Sequence, residues 1–231
     1  MKDQLALTLK LPDQNILENY YPGKNQHALQ QVTQAASGQG EFLTYLWGKS
    51  GVGATHLLQG ACHYAVQQGL AAMYVNLAHC HHLPVQVLHG LEQLQLLCLD
   101  EIQAIHGAPA WQEAIFHLYN RMRAKPNSRL IVAANGPVAS LPIPLADLTS
   151  RLAWGITYQL LPLSDEEKLA VLQSRAKARG LCLSEEVGNF ILRRCVRTMG
   201  DLFYILEKLD IASLAAQRRL TVPFVKSILN L

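Results

Sequence analysis

The chain has 231 residues, 50% of them hydrophobic and 16% charged, with a formal net charge of +3. A composition this apolar excludes a disordered or collagen-like chain. It supplies the core of one large domain, or of a larger domain with a small appendage. No stretch approaches the roughly 20 uninterrupted apolar residues of a membrane span, so a soluble protein with no membrane partner is expected. Met1-Lys2-Asp3-Gln4 lacks the basic start and long apolar run of a secretory signal, which predicts an unprocessed, cytoplasmic protein. Cys62, Cys80, Cys98, Cys182 and Cys195 are scattered without a CxxC pair, which predicts no disulfide framework. The modest positive charge permits an acidic ligand but falls short of a dedicated nucleic-acid binder.

In chain order, an aromatic turn at Tyr20-Tyr21-Pro22-Gly23 leads into a first helix, and apolar, β-rich runs follow at 42–47, 71–77, 94–99, 129–134 and 156–161. Each run is nearly continuous in apolar character, the pattern of strands covered by helices on both faces. Five such strands alternating with helices predict a parallel α/β sheet. After Pro162 only helical patterns remain. Ser164 and Glu167 form a capping box, Gly180 closes that helix, Ser184 opens a second, residues 200–217 form a third, and Thr221 with Pro223 starts a short last one. The expected organisation is a tail over 1–12, an α/β domain over 13–162 and a helical domain over 163–231.

The segment around Gly48-Lys49-Ser50-Gly51-Val52-Gly53-Ala54-Thr55-His56 reads as strand, glycine-rich loop and helix, the layout of a phosphate-binding P-loop. Its glycines let successive backbone N–H groups point inward, and the helix adds its positive N-terminal dipole, so diphosphate oxygens fit. An ordinary glycine turn would not need strand, spacing and helix together. The position that normally carries the lysine reaching the β- and γ-phosphates holds Ala54. Lys49 sits within the loop, where a solvated lysine is the simpler reading.

The apolar run 96–99 ends in Asp100-Glu101. An Asp there can hold a magnesium-bound water, and the next Glu can polarise attacking water. Acidic pairs after strands are common, so this one takes its meaning from the P-loop. The strand over 129–134 ends in Asn135, whose side chain would reach the γ-phosphate end of the site, although Asn135-Gly136-Pro137 is also ordinary turn chemistry. Arg151 precedes the last strand and by itself would read as a surface salt-bridge residue.

In this order, the P-loop with Thr55-His56-Leu57, the strand-end Asp100-Glu101-Ile102-Gln103 and the box Ser150-Arg151-Leu152-Ala153-Trp154-Gly155 resemble the AAA+ ATPases, and among them the DnaA family. The likeness is closer still to the Hda group of DnaA-related regulators. It runs through Leu163-Ser164-Asp165-Glu166-Glu167-Lys168-Leu169 and Leu220-Thr221-Val222-Pro223-Phe224-Val225-Lys226, and so covers nearly the whole chain. The resemblance implies an AAA+ sheet of five parallel strands with a C-terminal helical lid. It implies that Gly48, Ser50, Gly51, Val52, Gly53, Ala54, Thr55 and His56 surround the nucleotide's phosphates, with Tyr21 and Gly23 beside the base. Asp100 and Thr55 would hold Mg2+ where that ion is bound, Glu101 would be the catalytic carboxylate, and Arg151 would be an arginine finger offered to a neighbouring subunit's ATP. It also implies that Gln4-Leu5-Ala6-Leu7-Thr8-Leu9 is a clamp-binding peptide. In it Gln4 would reach a polar edge, and Leu5 and Leu7 would fill a groove on the DNA polymerase III β sliding clamp loaded on DNA.

Departures from the initiators sharpen the expectation. The sequence ends at Leu231 where an initiator continues into a helix-turn-helix domain. Too few residues separate positions 77 and 94 for the extra helix with which initiators grip single-stranded DNA. Direct sequence-specific DNA binding is therefore not expected. Gly200 stands where the sensor II arginine would meet the γ-phosphate. Without that arginine and the P-loop lysine, the site should favour ADP or another nucleoside diphosphate over a triphosphate.

The cluster His79-Cys80-His81-His82 lacks paired ligand spacing, so no metal site of the protein alone is expected. Arg193, Arg194, Arg197, Arg218 and Arg219 read as a solvated basic lid face, which DNA carried by the clamp could still touch. The leading expectation is a negative regulator of replication initiation, with weak or no ATPase of its own, that acts with the DNA-loaded clamp to stimulate hydrolysis of DnaA-bound ATP. A self-sufficient AAA+ ATPase that remodels or loads a replication protein, and a non-catalytic adaptor stabilised by its nucleotide, stand as alternatives. Homo-oligomerisation stays open.

Overall fold

The computed structural model describes residues 15–195 and 198–229. The chain divides into two compact units: one comprises the residues up to Gly48 with Ala54–Leu160, the other Lys49–Gly53 with the residues from Leu161 onward.

The first unit is built on a five-stranded sheet of β1 (Leu43–Trp47), β2 (Ala72–Asn76), β3 (Leu96–Asp100), β4 (Arg129–Ala134) and β5 (Ile156–Gln159), in the order β2-β3-β4-β1-β5. Every pairing is parallel. The inner strand β3 is buried at every position, and β4 at all but its first. That double-sided burial is why these strands read as unbroken apolar runs rather than alternating ones.

Four helices cover the sheet: α1 (Gln26–Ala36), α2 (Ala54–Gln67), α3 (Pro109–Arg123) and α4 (Ala146–Ala153). Trp111, Ile115, Leu118 and Met122 of α3, with Leu148 and Leu152 of α4, share a core with Leu43, Tyr45, Leu97, Leu99 and Val132. Helix α2 packs against α1 and against β2, β3 and β4. Strand ends differ from the predicted runs by a residue or two. Leu77 opens a 3-10 turn, Leu77–His82, and two more such turns, Val85–Leu88 and Leu91–Gln93, fill the connection to β3 without an α-helix.

A parallel sheet sorts its loops by strand end. The residues leaving β1, β3 and β4, namely Gly48, Asp100-Glu101 and Asn135, gather at one edge, where ligands of open α/β sheets bind. Residues that precede a strand lie at the opposite edge.

The second unit is helical: α5 (Asp165–Ala178), α6 (Glu185–Arg194), α7 (Met199–Ala216) and α8 (Val222–Leu229). The capping box is formed in full, with the Glu167 amide donating to Ser164 Oγ at 3.2 Å and the Ser164 amide donating to Glu167 Oε2 at 2.7 Å. Gly180, at φ +75°, ends α5 in the left-handed conformation that glycine adopts without strain. Ser184 accepts from the Val187 amide at 3.3 Å, and Thr198 caps α7 by accepting from the Asp201 amide at 3.2 Å. Leu172, Leu192, Leu202, Leu206, Leu209 and Val225 form this unit's own core. Among the described residues, no helix is long and apolar enough to cross a membrane.

Candidate functional site

Gly48 leaves β1 buried, its amide donating to the Ala134 carbonyl at 3.2 Å, which ties the start of the loop to the end of β4. Gly51 and Gly53 adopt φ of +82° and +97°, where a side chain would be strained, so the loop's path requires glycine at both. Lys49, Ser50 and Gly51 are exposed, and Val52 and Gly53 are partly buried. Ala54 opens α2, so the position usually held by a lysine carries a methyl group at the helix N-terminus.

Asp100, the last residue of β3, is only 2% exposed. Its Oδ2 accepts the Thr55 hydroxyl at 2.7 Å and the Tyr74 hydroxyl at 2.9 Å, while Oδ1 accepts the Glu101 amide at 2.9 Å. Three donors replace the water this buried carboxylate lost on folding. Burial, together with the negative charge of Asp100, pushes the Tyr74 phenol above its ordinary pKa. Thr55 and Asp100 thus bring two hard oxygen donors together beside the loop, a donor set that fits Mg2+ bound through phosphate.

Glu101 stands at φ +58°, in the left-handed region, the only described non-glycine residue besides Gln217 with positive φ. Burial and the charge of Asp100 raise its carboxyl above the ordinary carboxylate range. Gln103 Nε2 donates to Glu101 Oε2, and Gln103 Oε1 accepts the Asn135 amide at 3.2 Å, so one side chain links the ends of β3 and β4. Asn135 itself is exposed, and Tyr45 of β1 steadies its turn by donating to the Gly136 carbonyl at 2.8 Å. Tyr74 and Gln103 had no role in the sequence reading. Tyr74 meets Asp100 only because β2 pairs with β3 in the register Tyr74↔Cys98 and Asn76↔Asp100, which no local pattern encodes.

The segment before α1 is fastened to α2. His56 Nε2 lies 2.9 Å from the Ile16 carbonyl, and the His56 and Tyr20 rings meet edge-on at 5.4 Å. Gly60 permits the approach, since a Cβ there would lie 3.0 Å from the Leu17 backbone nitrogen. Burial, partly offset by a hydrogen bond with Asn25, holds the Tyr20 phenol up at about 12. Tyr21, 43% exposed, and Gly23, at φ +48°, follow on this anchored segment. The His56 side chain therefore serves the anchor, and only its backbone belongs to the loop-and-helix junction.

Arg151 lies in the last turn of α4, before β5, with its guanidinium 4.2 Å from the centroid of the Trp154 ring. Strands β1 and β5 are parallel, so Arg151 lies at the sheet edge opposite Gly48, Asp100 and Asn135. Gly200 is the second residue of α7, exposed, with open space where a Cβ would stand. Gln4, Leu5 and Leu7 lie outside the described residues. In the histidine-rich turn, Cys80 Sγ and His81 Nε2 both approach the Ala104 carbonyl, at 3.5 and 3.1 Å. Among the described residues, no three His, Cys, Asp or Glu side chains gather where a metal ion could be held.

The fold is that of several solved structures. Domain III of the Thermotoga maritima replication initiation protein DnaA superposes with a TM-score of 0.80 at 21% identity, over 95% of this chain and 97% of that one. AMPPCP-bound DnaA from Aquifex aeolicus gives 0.75 at 22% identity, over 89% of this chain and 68% of that one. The Thermotoga maritima RuvB Holliday junction branch migration motor gives 0.66 at 16% identity, over 90% and 67%. At these identities the likeness establishes the architecture, an AAA+ sheet with a helical lid. The sequence itself matches the family model of the Hda lid domain over residues 165–229. The bacterial DnaA ATPase domain model matches residues 11–159, well over half of the chain, and the chain belongs to that family.

Proposed function

We propose that this chain is a nucleotide-holding negative regulator of replication initiation. In this reading it keeps a nucleoside diphosphate, ADP foremost, in the P-loop site and is tethered through residues 4–9 to the DNA-loaded β clamp. It offers Arg151 to ATP held by DnaA. The working parts are the tail over 1–12, the AAA+ domain over 13–162 and the lid over 163–231, acting in the cytoplasm.

The observation that carries this reading is the separation of Arg151 from its own chain's P-loop. A five-residue strand spans about 17 Å at ~3.3 Å per residue, more than an arginine side chain can cover. A guanidinium on the far edge is usable only by another chain's phosphates. An arginine finger stabilises charge developing on the transferred phosphoryl group and is worth roughly 10³–10⁵ in rate.

Nucleotide binding follows from the family and from a loop whose path requires its glycines. Preference for the diphosphate follows from Ala54 and Gly200, which leave the γ-phosphate without its two usual cations. Thr55 and Asp100 would hold Mg2+, which supplies charge neutralisation at the phosphates when bound. Glu101, tied to Gln103, accounts for weak or absent hydrolysis by the chain alone. The intact set of Thr55, Asp100 and Glu101 favours a second reading, an ATPase in its own right.

One experiment separates them. Phosphate release is measured from the protein alone, then from ATP-loaded DnaA with the protein and a DNA-loaded clamp. Hydrolysis that appears only in the mixture supports the regulator. Robust turnover by the protein alone supports the ATPase, and no effect in either assay leaves neither standing.

A further inference from the structure

From Ser50 to Leu91 the sequence contains no Asp, Glu, Lys or Arg. That stretch holds α2, β2 and two of the 3-10 turns after it, and β2 is an outer strand, hydrogen-bonded to β3 alone. Every residue of β3 is buried, and none of β2 is. An outer strand leaves backbone N–H and C=O groups unpaired along its free side. Natural sheets guard such edges with charges, prolines or a covering element. Ala72-Met73-Tyr74-Val75-Asn76 has neither charge nor proline. Apolar side chains stand exposed on it and on the segments flanking it: Met73 at 40%, Val66 at 59%, Leu83 at 46% and Val87 at 42%. The other outer strand, β5, is bracketed in sequence by Arg151 on one side and Asp165-Glu166-Glu167 on the other.

We propose that the β2 edge is a self-association surface, on which a second copy of this chain pairs its own β2 antiparallel about a twofold axis and joins two five-stranded sheets. A second copy fits this edge for two reasons on which other partners fail. A twofold pairing of identical strands satisfies the unpaired backbone groups of both at once and closes after two subunits. The absence of fixed charge also lets two identical surfaces meet without like-charge repulsion, while giving a partner selected by charge nothing to read. The strand pair alone falls short of the about 800 Å² per partner that a stable interface buries. Val66, Leu83 and Val87 supply the additional apolar surface.

The test is sedimentation of the full chain over a concentration series, for the parent, Met73→Leu and Met73→Lys, beside melting curves. The parent and Met73→Leu should dimerise alike. Met73→Lys, which sets two ammonium groups near the axis, should weaken association at least tenfold while melting with the parent. Met73→Cys and Val75→Cys, alone and mixed, should form an intermolecular disulfide under copper–phenanthroline oxidation that the parent's native cysteines do not. A parent that sediments as a monomer at every concentration would overturn the proposal. So would a dimer that Met73→Lys leaves intact, or a dimer that neither cysteine variant cross-links, which would put the interface elsewhere.

Discussion

The guanidinium of Arg151 lies 4.2 Å from the centre of the Trp154 ring, and that ring is 65% exposed. A tryptophan this exposed adds little to the core, yet its face holds the one side chain that the proposed function sends to another protein. Cation–π attraction at such a site is worth about 0.5–1 kcal/mol, enough to bias the orientation of Arg151 without trapping it. Trp154→Ala should leave the melting temperature nearly unchanged and reduce stimulation of DnaA hydrolysis several-fold. Trp154→Phe should keep most of it. Equal stimulation by all three proteins would make the stacking incidental.

Asp100 is the point where the sheet's packing and the site's chemistry coincide. An amide at this position keeps the shape but turns an N–H2 toward the Thr55 and Tyr74 hydroxyls, which already donate there. Asp100→Asn should therefore cost about 1–3 kcal/mol of stability. Tyr74→Phe, which removes one of the three donors, should cost less. Urea unfolding of the two variants measures both, and a harmless Asp100→Asn would mean that the hydroxyls turn to other acceptors.

Much of this arrangement was legible in the sequence because it is local. Loop glycines, the acidic pair that closes an apolar run and the Ser164 capping box each declare themselves within a few residues. Unbroken apolar runs revealed parallel strands because burial on both faces leaves no polar alternation to see. The links that tie the site together are of another kind. Gln103 reaches Asn135 across 32 positions, Tyr74 reaches Asp100 across 26, and His56 reaches Ile16 across 40. Each depends on strand register or helix packing rather than on spacing. The short turns between Leu77 and Gln93 were likewise obscure, since their apolar residues continue the strand pattern into a segment that no longer pairs.

Glu101 carries an unfavourable environment for its charge, because burial and the neighbouring Asp100 both raise its pKa in the folded state. A carboxyl whose folded pKa exceeds its unfolded value binds protons more readily when folded. Its penalty is fully present above the folded pKa and is relieved as pH falls toward the unfolded value. Glu101→Gln keeps an acceptor for Gln103 and removes the charge, so it should melt higher than the parent at pH 8. That advantage should shrink on acidification through the window between the two pKa values. A constant difference in melting temperature across pH would show that charge is not the cause.

Ala54 opens α2 where a lysine would extend toward the terminal phosphates. Ala54→Lys should strengthen ATP binding more than ADP binding, because the added ammonium meets charge that only the triphosphate carries in full. Calorimetry with both nucleotides on both proteins gives the ratio. If the parent already binds ATP more tightly than ADP, the case for a diphosphate site fails.

Arg151 gives the sharpest test, because its place at the edge opposite the P-loop separates two roles that most ATPase residues combine. A residue that reached its own nucleotide would alter binding when removed. One that works on another chain's ATP would not. Arg151→Ala should therefore keep the parent's fold, ADP affinity and capture by the clamp, and lose most of the stimulation of DnaA hydrolysis. Arg151→Lys should recover little, since an ammonium lacks the planar fork that spans two phosphoryl oxygens and stacks less well on Trp154. The assay is single-turnover hydrolysis of ATP bound to DnaA, with assembly of the variant on the clamp verified by sedimentation in the same buffer. Parent-like stimulation by assembled Arg151→Ala would reduce Arg151 to an interface residue and leave a nucleotide-stabilised adaptor as the better account. Lost ADP affinity would instead mean that the arginine reaches its own site, against the geometry of the parallel sheet.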